Sequence, residues 1–537
     1  MIVAILPSIF FPPRKPVVPP GVATDSSVRP AADTIAVAAP RPSASPSIRP
    51  AAPAPRVQEE RLVTVESPLY RYTFSTRGAR LTGATLKAYR SFGPVDSGAV
   101  QLIPDSSEFL AYRVIAGVDT FNVSDWVFEP STTALDVAGG GEINWTGRRG
   151  NAVMTLRYRF HPEDYRFDVS GDLRGLGGGG LVVVGLGPRL RLVEGDSTTD
   201  FASYSVVTKA RSSERIDFRS LDPAERSVVN GPFEWVAMKS KYFFAAVLTI
   251  EPGMPQLGGV VVTGGALSGK IATKAHAEIT LPAPGGTFAH SVYVGPMEAA
   301  RLSAIGHGLN DVNPYGWSIF RLIIQPASVL ILKALLWMHT NLHLAYGWVI
   351  VVFGVLIRLA LWPLNAKAMR SGMAMQAAQP EIKMLQEKYK KDPQKMQAEI
   401  MKLYKDRGIN PLGGCLPMLI PFPVLIAVWF VLANTIEFRG VSFLWLPDLA
   451  RHDPYYIIPL FMGLSMFALS KLGQLGMPPN PQATMMLYIM PVMMTFFFLN
   501  LSSGVNLYYA VQNVTSLPQQ WLIARERLRK AGKPPGS

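Results

Sequence analysis

The chain has 537 residues, of which 48% are hydrophobic, and its 52 Lys and Arg against 38 Asp and Glu give a formal net charge of +14. This length suffices for two or three domains. The basic residues gather beside apolar runs, which favours anionic membrane headgroups over DNA as their partner. The single cysteine, Cys415, excludes an internal disulfide, Cys-based zinc sites and dithiol redox chemistry.

The first 60 residues form two segments of different character. Residues 1–12, "MIVAILPSIFFP", are apolar but too short to cross a bilayer as a helix, so we expect a short or truncated membrane segment. Residues 13–60 are rich in Pro, Ala and Ser. Because such a composition cannot bury a core, we expect a disordered linker there.

Residues 61–304 carry the pattern of a β domain. Short β-branched and aromatic runs are interrupted by Gly and Ser in "RLVTVESPLYRYTFSTRGARLTGATLKAY", and polar and apolar residues alternate in "MTLRYRFHPEDYRFDVSGDL". Many short strands with frequent turns are typical of an antiparallel β-sandwich.

The sequence becomes membrane-like from residue 313. Residues 313–343 mix apolar, Trp and basic residues, which predicts an amphipathic helix lying in the membrane interface. His339 and His343 have the i,i+4 spacing of metal ligands, but no third ligand or HExxH glutamate is near, so we expect no metal site. Five spanning candidates of suitable length follow, at 344–364, 412–434, 455–472, 485–501 and 504–523.

Charge gives these spans an orientation. The linker 365–411 contains ten Lys or Arg and five Asp or Glu, and the tail 525–537 is also basic. By the positive-inside rule both segments face the cytoplasm. An odd number of spans then places the β domain on the outer side of the membrane.

Arg358 is the one charge within the apolar run 344–364. It lies six residues, or about 9 Å, from the cytoplasmic end of the predicted span. Two interpretations stay open: the side chain snorkels to the headgroups, or it faces a water-filled pocket between the helices. No Asp or Glu lies in any of the five spans, which argues against a proton-coupled transporter.

The last span is polar enough to supply such a pocket. Its polar residues are Asn506, Gln512, Asn513, Thr515, Ser516, Gln519 and Gln520, and earlier spans add Asn434, Ser465 and Ser470. These groups serve either as interhelical hydrogen bonds or as the wall of a hydrated groove. From this polarity we select Asn434, Asn506, Gln512 and Asn513 as candidate groove residues.

The linker 365–411 predicts a cytoplasmic helical hairpin. Its turn falls at Asp392-Pro393, and apolar residues recur at helical spacing on either side. The candidate surface residues are Met384, Tyr389, Met396 and Tyr404. The methionines serve either core filling or adaptable binding of a guest.

Four segments resemble the YidC-type membrane protein insertases, a family with mitochondrial and chloroplast relatives. They are "IRLALWPLNAKAMRS" (357–371), "INPLGGCLPMLIPFPVLIAVWFVL" (409–432), "DPYYIIPLFMGLSMF" (453–467) and "SSGVNLYYAVQN" (502–513). The β region, through "STRGARLTGATLKAY" and "WVAMKSKYFFAAVL", is similar to the outer domain of the Gram-negative members. Those members usually begin with a full spanning helix, from which residues 1–12 depart.

The resemblance implies a fold and a function. The implied fold is a five-helix membrane bundle, 344–524, around a hydrophilic groove, joined to a periplasmic β-supersandwich. Arg358 matches the family's groove arginine, and Tyr508 and Tyr509 match its substrate-contacting tyrosines. The implied function is insertion and chaperoning of newly made proteins at the bacterial inner membrane, alone or with the Sec translocon, with the ribosome and anionic lipids as further partners.

Two rival functions come from other classes. A lipid or solute transporter is disfavoured because no inverted repeat is detectable. A membrane-anchored carbohydrate-active protein needs a catalytic acid and base, and its candidates are His161, Glu163, His276 and His290, whose pattern specifies no catalysis. No nucleotide-binding motif is present, so we expect neither a cofactor nor enzymatic activity.

Overall fold

The structure is a computed structural model of the chain. It describes residues 59–93, 98–105, 107–175, 180–254, 256–268, 271–316, 320–408, 422–475 and 481–531. The predicted segment 1–12, all but the last two residues of 13–60, and Cys415 lie outside the described residues.

Two large β-sheets pack face to face and form the first half of the described chain. The 11-stranded sheet contains β1 (Leu62–Glu66), β2 (Tyr70–Ser75), β3 (Leu81–Arg90), β4 (Ala99–Ile103), β5 (Phe109–Ala116), β6 (Asp119–Asn122), β8 (Ala134–Asp136), β12 (Gly180–Leu186), β15 (Arg226–Val229), β18 (Val260–Gly264) and β21 (Ala275–Ala283). The nine-stranded sheet contains β7 (Phe128–Pro130), β9 (Gly141–Arg149), β10 (Ala152–Phe160), β11 (Arg166–Arg174), β13 (Ser205–Lys209), β14 (Ser213–Asp217), β16 (Trp235–Lys239), β17 (Phe243–Leu248) and β22 (Thr287–Pro296). A small third sheet pairs β19 (Leu267–Ser268) with β20 (Ile271–Ala272).

The strand pattern explains why the two sheets pack together. In β10, "AVMTLRYRF", every second side chain is buried, because successive residues of a strand point to opposite faces. The inward face meets aromatic rings of the facing sheet, such as Phe74 against Trp145 and Tyr158, with ring centroids 6.2 and 5.4 Å apart. Neighbouring strands are antiparallel apart from the β1–β8 pair. The predicted antiparallel β-sandwich is confirmed.

The second half of the described chain is helical, after two short helices in or beside the β domain. The helices are α1 (Ser197–Ser203), α2 (Ala299–Ile305), α3 (Arg321–Leu342), α4 (Tyr346–Ala377), α5 (Gln379–Lys388), α6 (Pro393–Asp406), α7 (Phe422–Asn434), α8 (Ile457–Gln474), α9 (Pro481–Phe498) and α10 (Ser503–Ala531). Helix α10 packs against both α4 and α8, α9 packs against α8, and α3 packs against α7.

Several helices of the second half have the apolar composition of membrane helices. Among the described residues, three helices are long and apolar enough to cross a membrane: Arg321–Leu342, Tyr346–Ala366 and Ile457–Gln474. Two further apolar helices, Phe422–Asn434 and Thr484–Phe498, are shorter. The predicted total of five spans stays a prediction, because residues 409–421 are not described and α10 is rich in polar residues. Helix α3, expected in the interface, also has the length and composition of a span.

Candidate functional site

A row of polar contacts joins α4 to α10, and we call it the polar seam. The amide nitrogen Nε2 of Gln512 donates to the main-chain oxygen of Gly354 at 2.8 Å. The next contacts lie two turns further along α10 and one turn further along α4. There Arg358 Nη2 donates to Gln519 Oε1 at 2.8 Å, and Gln519 Nε2 donates to the main-chain oxygen of Trp362 at 3.2 Å. The spacing produces this row, since residues four apart on α4 and seven apart on α10 share a helix face.

The guanidinium of Arg358 is half-buried in the seam. Its Nε is buried and has no hydrogen-bond partner among the described residues. Its side-chain hydrogen-bond partner, Gln519, is neutral, and the sequence of α4 contains no Asp or Glu. In α10 the only acid is Glu526, seven residues beyond Gln519. The seam therefore holds a cation in position without neutralising it, which leaves its field available to a polar or acidic guest.

The two candidate tyrosines lie next to the seam. Tyr508 is fully buried, and its hydroxyl has no hydrogen-bond partner within the described part of the chain. Its ring centroid lies 6.5 Å from Phe353 and 5.7 Å from Tyr509. Tyr509 is half-buried and packs edge-on against Phe498 at 5.2 Å. Tyr508 thus faces the bundle core, whereas Tyr509 is partly accessible.

The three asparagines chosen for their polarity make their hydrogen bonds outside the seam. Asn513 Nδ2 donates to the hydroxyl of Ser465 on α8 at 3.2 Å. Asn506 is fully buried and donates to the main-chain oxygen of Phe498 at 3.0 Å, which closes the turn between α9 and α10. Asn434 donates to the main-chain oxygen of Phe430 in its own helix at 2.9 Å. Of the four groove residues selected by polarity, only Gln512 lies in the seam.

Gln519 is the partner of Arg358 that sequence reasoning did not select. It was one of seven polar residues in the last span, and polarity alone does not distinguish among them. Its distance of seven residues from Gln512 is the signal that identifies it, because two such residues lie on one face of a helix. Gln519 is 1% exposed, which also separates it from a solvent-facing glutamine.

The linker 365–411, predicted to form a helical hairpin, contains α5 and α6, which contact each other. Asp392 caps α6 by accepting a hydrogen bond from the Lys395 amide at 3.1 Å, and Pro393 occupies the first turn. An ion pair between Arg407 and Glu381 joins the two helices.

The apolar side chains of the hairpin are only partly covered by the rest of the protein. No residue of α6 is fully buried, and Met396 and Tyr404 are half-buried. Met384 is 61% exposed. Tyr389 is half-buried, with the ammonium groups of Lys388 and Lys395 lying 5.4 and 5.6 Å from its ring centroid. The hairpin therefore presents basic and apolar groups together.

The histidines of the β domain are not assembled into one site. The ring nitrogen Nε2 of His161 lies 2.9 Å from Oδ2 of Asp168, and Oδ1 of Asp168 accepts a hydrogen bond from the Ser291 hydroxyl. His290 is fully buried beside the Tyr112 hydroxyl at 3.3 Å. Burial lowers the pKa of His290 to about 3, so it is neutral near pH 7. His276 is exposed on β21.

The β domain and the bundle meet at a buried charged junction. Arg439, in the loop after α7, pairs with Glu194 of the β domain at 2.7 Å. Burial raises the pKa of Glu194 despite this partner, and burial lowers the pKa of Lys241 nearby. Burial also raises the pKa of Asp200 to about 7, with Glu194 adding to the effect. A cavity of about 320 Å³ lies at this junction.

Comparisons with known proteins cover both halves of the chain. A family model described as the YidC periplasmic domain matches residues 62–327, and one described as the 60Kd inner membrane protein matches residues 337–530. A protein of Syntrophus aciditrophicus named membrane protein insertase YidC is 31% identical over 507 residues, which cover 90% of this chain and 88% of that protein.

A second relative carries the same name, and one solved structure is similar over most of the chain. A protein of Ralstonia nicotianae with the same name is 30% identical over 556 residues, covering 96% of this chain and 92% of that protein. The solved structure titled "Active YidC insertase crystal structure with the first transmembrane domain resolved" is 19% identical, with a TM-score of 0.35, covering 87% of this chain and 93% of that one. The sequence matches confirm the resemblance drawn from the four membrane segments. The chain belongs to the YidC family of membrane protein insertases, as an inner membrane protein with a periplasmic domain.

Proposed function

We propose that the polar seam is the site at which this insertase receives the polar segment of a newly made membrane protein. The observation that carries the proposal is the Arg358 guanidinium, half-buried between α4 and α10 and bonded to neutral Gln519. An ionisable group inside a membrane segment is costly and usually marks a pathway or binding site. The field of Arg358 attracts the acidic or polar outer segment of a guest.

The seam lowers the cost of moving that segment through hydrocarbon. Each unsatisfied polar group in the bilayer core costs several kcal/mol, so hydrogen-bonding partners partway across reduce the barrier. Arg358 and Gln512 offer donors to the guest, and the partly accessible Tyr509 adds an amphipathic ring. The guest's hydrophobic helix then moves into lipid, where burial of its apolar surface drives the transfer. The membrane potential assists acidic segments by about 2.3 kcal/mol per charge per 100 mV.

The proposed orientation follows the charge distribution. The hairpin formed by α5 and α6 and the C-terminus face the cytoplasm, and the β domain faces the periplasm. The basic hairpin, with its exposed Met384, is suited to a ribosome or another anionic neighbour and to anionic lipids. Insertion then proceeds alone or beside the Sec translocon.

The test is insertion into liposomes that contain the purified full chain. The substrate is a single-span protein with an acidic outer tail, and protease protection reports its insertion. We expect Arg358→Ala to lower insertion at least tenfold and Arg358→Lys, which keeps the charge, to retain most of it. Lys333→Ala, at an exposed cation on α3, is the matched control.

Two outcomes would contradict the proposal. Full insertion by Arg358→Ala would make Arg358 a snorkelling residue with no role in transfer. Insertion by the unmodified chain that does not exceed that of empty liposomes, even when a Sec translocon is added, would mean that the seam does not receive the segment of a membrane protein.

A further inference from the structure

An apolar crevice opens between α8 and α10, away from the polar seam. Its volume is about 660 Å³. It is lined by Ala468, Lys471, Leu472, Leu475, Val514, Leu517, Pro518 and Trp521. Because successive helix residues are about 100° apart, its α10 positions fall on the side of the helix opposite Gln512 and Gln519. The crevice is therefore a separate site from the one proposed for the insertion substrate.

The crevice is formed by two matched apolar stripes. Positions 468, 471 and 472 on α8, with 475 directly after its end, follow the i, i+3, i+4, i+7 pattern of a single helix face, and so do positions 514, 517, 518 and 521 on α10. Lys471 is the one charged residue among these eight. Their side chains are not closed over by the rest of the protein: Val514 is 40% exposed, Leu475 40% and Trp521 50%. An open apolar crevice inside a bilayer is filled by an acyl chain.

The crevice and the cation beyond it together extend over the depth of one bilayer leaflet. From Val514 to Arg525 the helix advances eleven residues, or about 16 Å, which is half of the ~30 Å hydrocarbon core. The lining positions 514–521 account for about 10 Å of this distance and the turn to Arg525 for the rest, so an acyl chain whose headgroup lies at Arg525 would run along the whole crevice.

Positive charge is concentrated at one end of the crevice. Lys471 lies in the last turn of α8 and is exposed. The exposed Arg525 follows Trp521 by one turn, with its guanidinium carbon 5.4 Å from the indole ring centroid. None of the eight lining residues is acidic. Arg527 donates to the main-chain oxygens of Gly473 and Leu475, so it joins the two helix ends at this level.

We infer that the crevice binds an anionic glycerophospholipid of the cytoplasmic leaflet. One acyl chain lies along the two stripes, and the headgroup phosphate contacts the Lys471 ammonium and the Arg525 guanidinium. Trp521 lies at headgroup depth, where amphipathic rings are favoured. Basic pockets between membrane helices on the cytoplasmic side have this preference for anionic headgroups. The assignment of leaflet uses the proposed orientation, but the choice of ligand depends only on the crevice.

The experiment measures quenching of Trp521 by lipids with brominated acyl chains. The full chain is placed in phosphatidylcholine nanodiscs, in which brominated phosphatidylglycerol or brominated phosphatidylcholine replaces increasing fractions of the lipid. The difference between the unmodified chain and Trp521→Phe isolates Trp521 from the other tryptophans. We expect half-maximal quenching at a several-fold lower fraction of phosphatidylglycerol than of phosphatidylcholine, and a loss of this preference at high salt.

Three variants test the two parts of the site. Lys471→Gln and Arg525→Gln are each expected to reduce the preference for phosphatidylglycerol about fivefold, since each cation near the surface contributes ~1 kcal/mol. Lys333→Gln, at an exposed cation on α3, is the matched control and leaves the preference unchanged. Ala468→Phe fills the crevice and removes quenching by both lipids, and Val514→Phe is the second filling variant if Ala468→Phe does not fold.

Each contrary result overturns the inference. Equal quenching by the two lipids would make the crevice an unselective lipid contact, as would charge variants that behave like Lys333→Gln. Relief of quenching by a hydrophobic substrate helix at equimolar amounts, with no effect of the charge variants, would assign the crevice to the guest. The readout does not involve insertion, so a failed insertion assay and a failed lipid assay are distinguishable.

Discussion

The guanidinium of Arg439 lies 2.7 Å from the carboxylate of Glu194, although 245 residues separate them in the chain. Their side chains are only 3% and 12% exposed. The Arg439 guanidinium also lies 4.4 Å from the ring centroid of Phe92 and 5.3 Å from that of Phe243. This pair ties the loop after α7 to the β domain and fixes the bundle against it.

Breaking this pair on one side is expected to destabilise the junction. Glu194→Gln leaves the Arg439 charge buried without a counter-charge, which costs about 3–5 kcal/mol. The free energy of unfolding of the full chain, measured in detergent by denaturant titration, reports the change. Glu142→Gln is the matched control, because Glu142 pairs with Arg157 at 3.9 Å on the surface and contributes about 0–1 kcal/mol.

The double variant Glu194→Leu with Arg439→Met separates charge from packing. Replacing both partners by apolar side chains removes the unpaired charge, so we expect most of the lost stability to return. A double variant as unstable as Glu194→Gln would show that the pair's geometry, and not its charge balance, holds the junction.

Asp200 makes the stability of the junction dependent on pH. Burial raises its pKa from 3.8 to about 7. A group with a raised folded-state pKa contributes stability that is full below its unfolded pKa and is lost as pH rises through the folded value. The unmodified chain should therefore lose stability relative to Asp200→Asn between about pH 4 and 7, by up to ~1.4 kcal/mol per pH unit.

Unfolding measured at pH 4, 5, 6, 7 and 8 checks this trend. Asp200 Oδ1 accepts a hydrogen bond from the Lys241 amide at 3.2 Å, which the Asn oxygen can keep. Asp105→Asn, at a side chain that is 84% exposed, is the control. A constant difference between Asp200→Asn and the unmodified chain over this range would exclude a proton on Asp200 at the lower pH values.

Gln519 is expected to act through Arg358 as a positioning residue. Gln519→Leu removes the acceptor at 2.8 Å and lets the guanidinium turn towards the headgroups, so insertion should fall about tenfold. In the Arg358→Ala background the same substitution should have no further effect, because the two residues act together. Gln520→Leu is the matched control, since the side-chain oxygen of Gln520 has no hydrogen-bond partner among the described residues. Equal additive losses in both backgrounds would refute the coupling.

The Asp392 cap is expected to hold the start of α6. Asp392→Ala removes the acceptor for the Lys395 amide and costs about 1 kcal/mol. Amide hydrogen exchange in the first turn of α6 should therefore become about fivefold faster, whereas Gln397→Ala, at an exposed position, should not accelerate it. Unchanged exchange in Asp392→Ala would mean that tertiary contacts and not the cap fix this helix end.

Local patterns in the sequence determined much of this protein. The alternation in strands such as β10 predicted the sandwich, because a strand with one buried face must alternate. The Asp392-Pro393 pair predicted the hairpin turn, since an Asp cap and a Pro in the first turn both belong to a helix start. The four membrane segments identified the family, and hydropathy located the apolar helices, while the number that cross the membrane stays a prediction.

Tertiary structure decided which residues meet. The last span contains seven polar residues, and their partners depend on how α10 packs on α4 and α8. Gln519 bonds to Arg358, and Asn513 bonds to Ser465. Asn506 bonds to the main chain at the turn before its own helix. The pairing of Glu194 with Arg439 likewise joins segments on opposite sides of the junction. The physical reason is that periodicity fixes which side chains share a face, whereas the partner of that face depends on how distant elements pack.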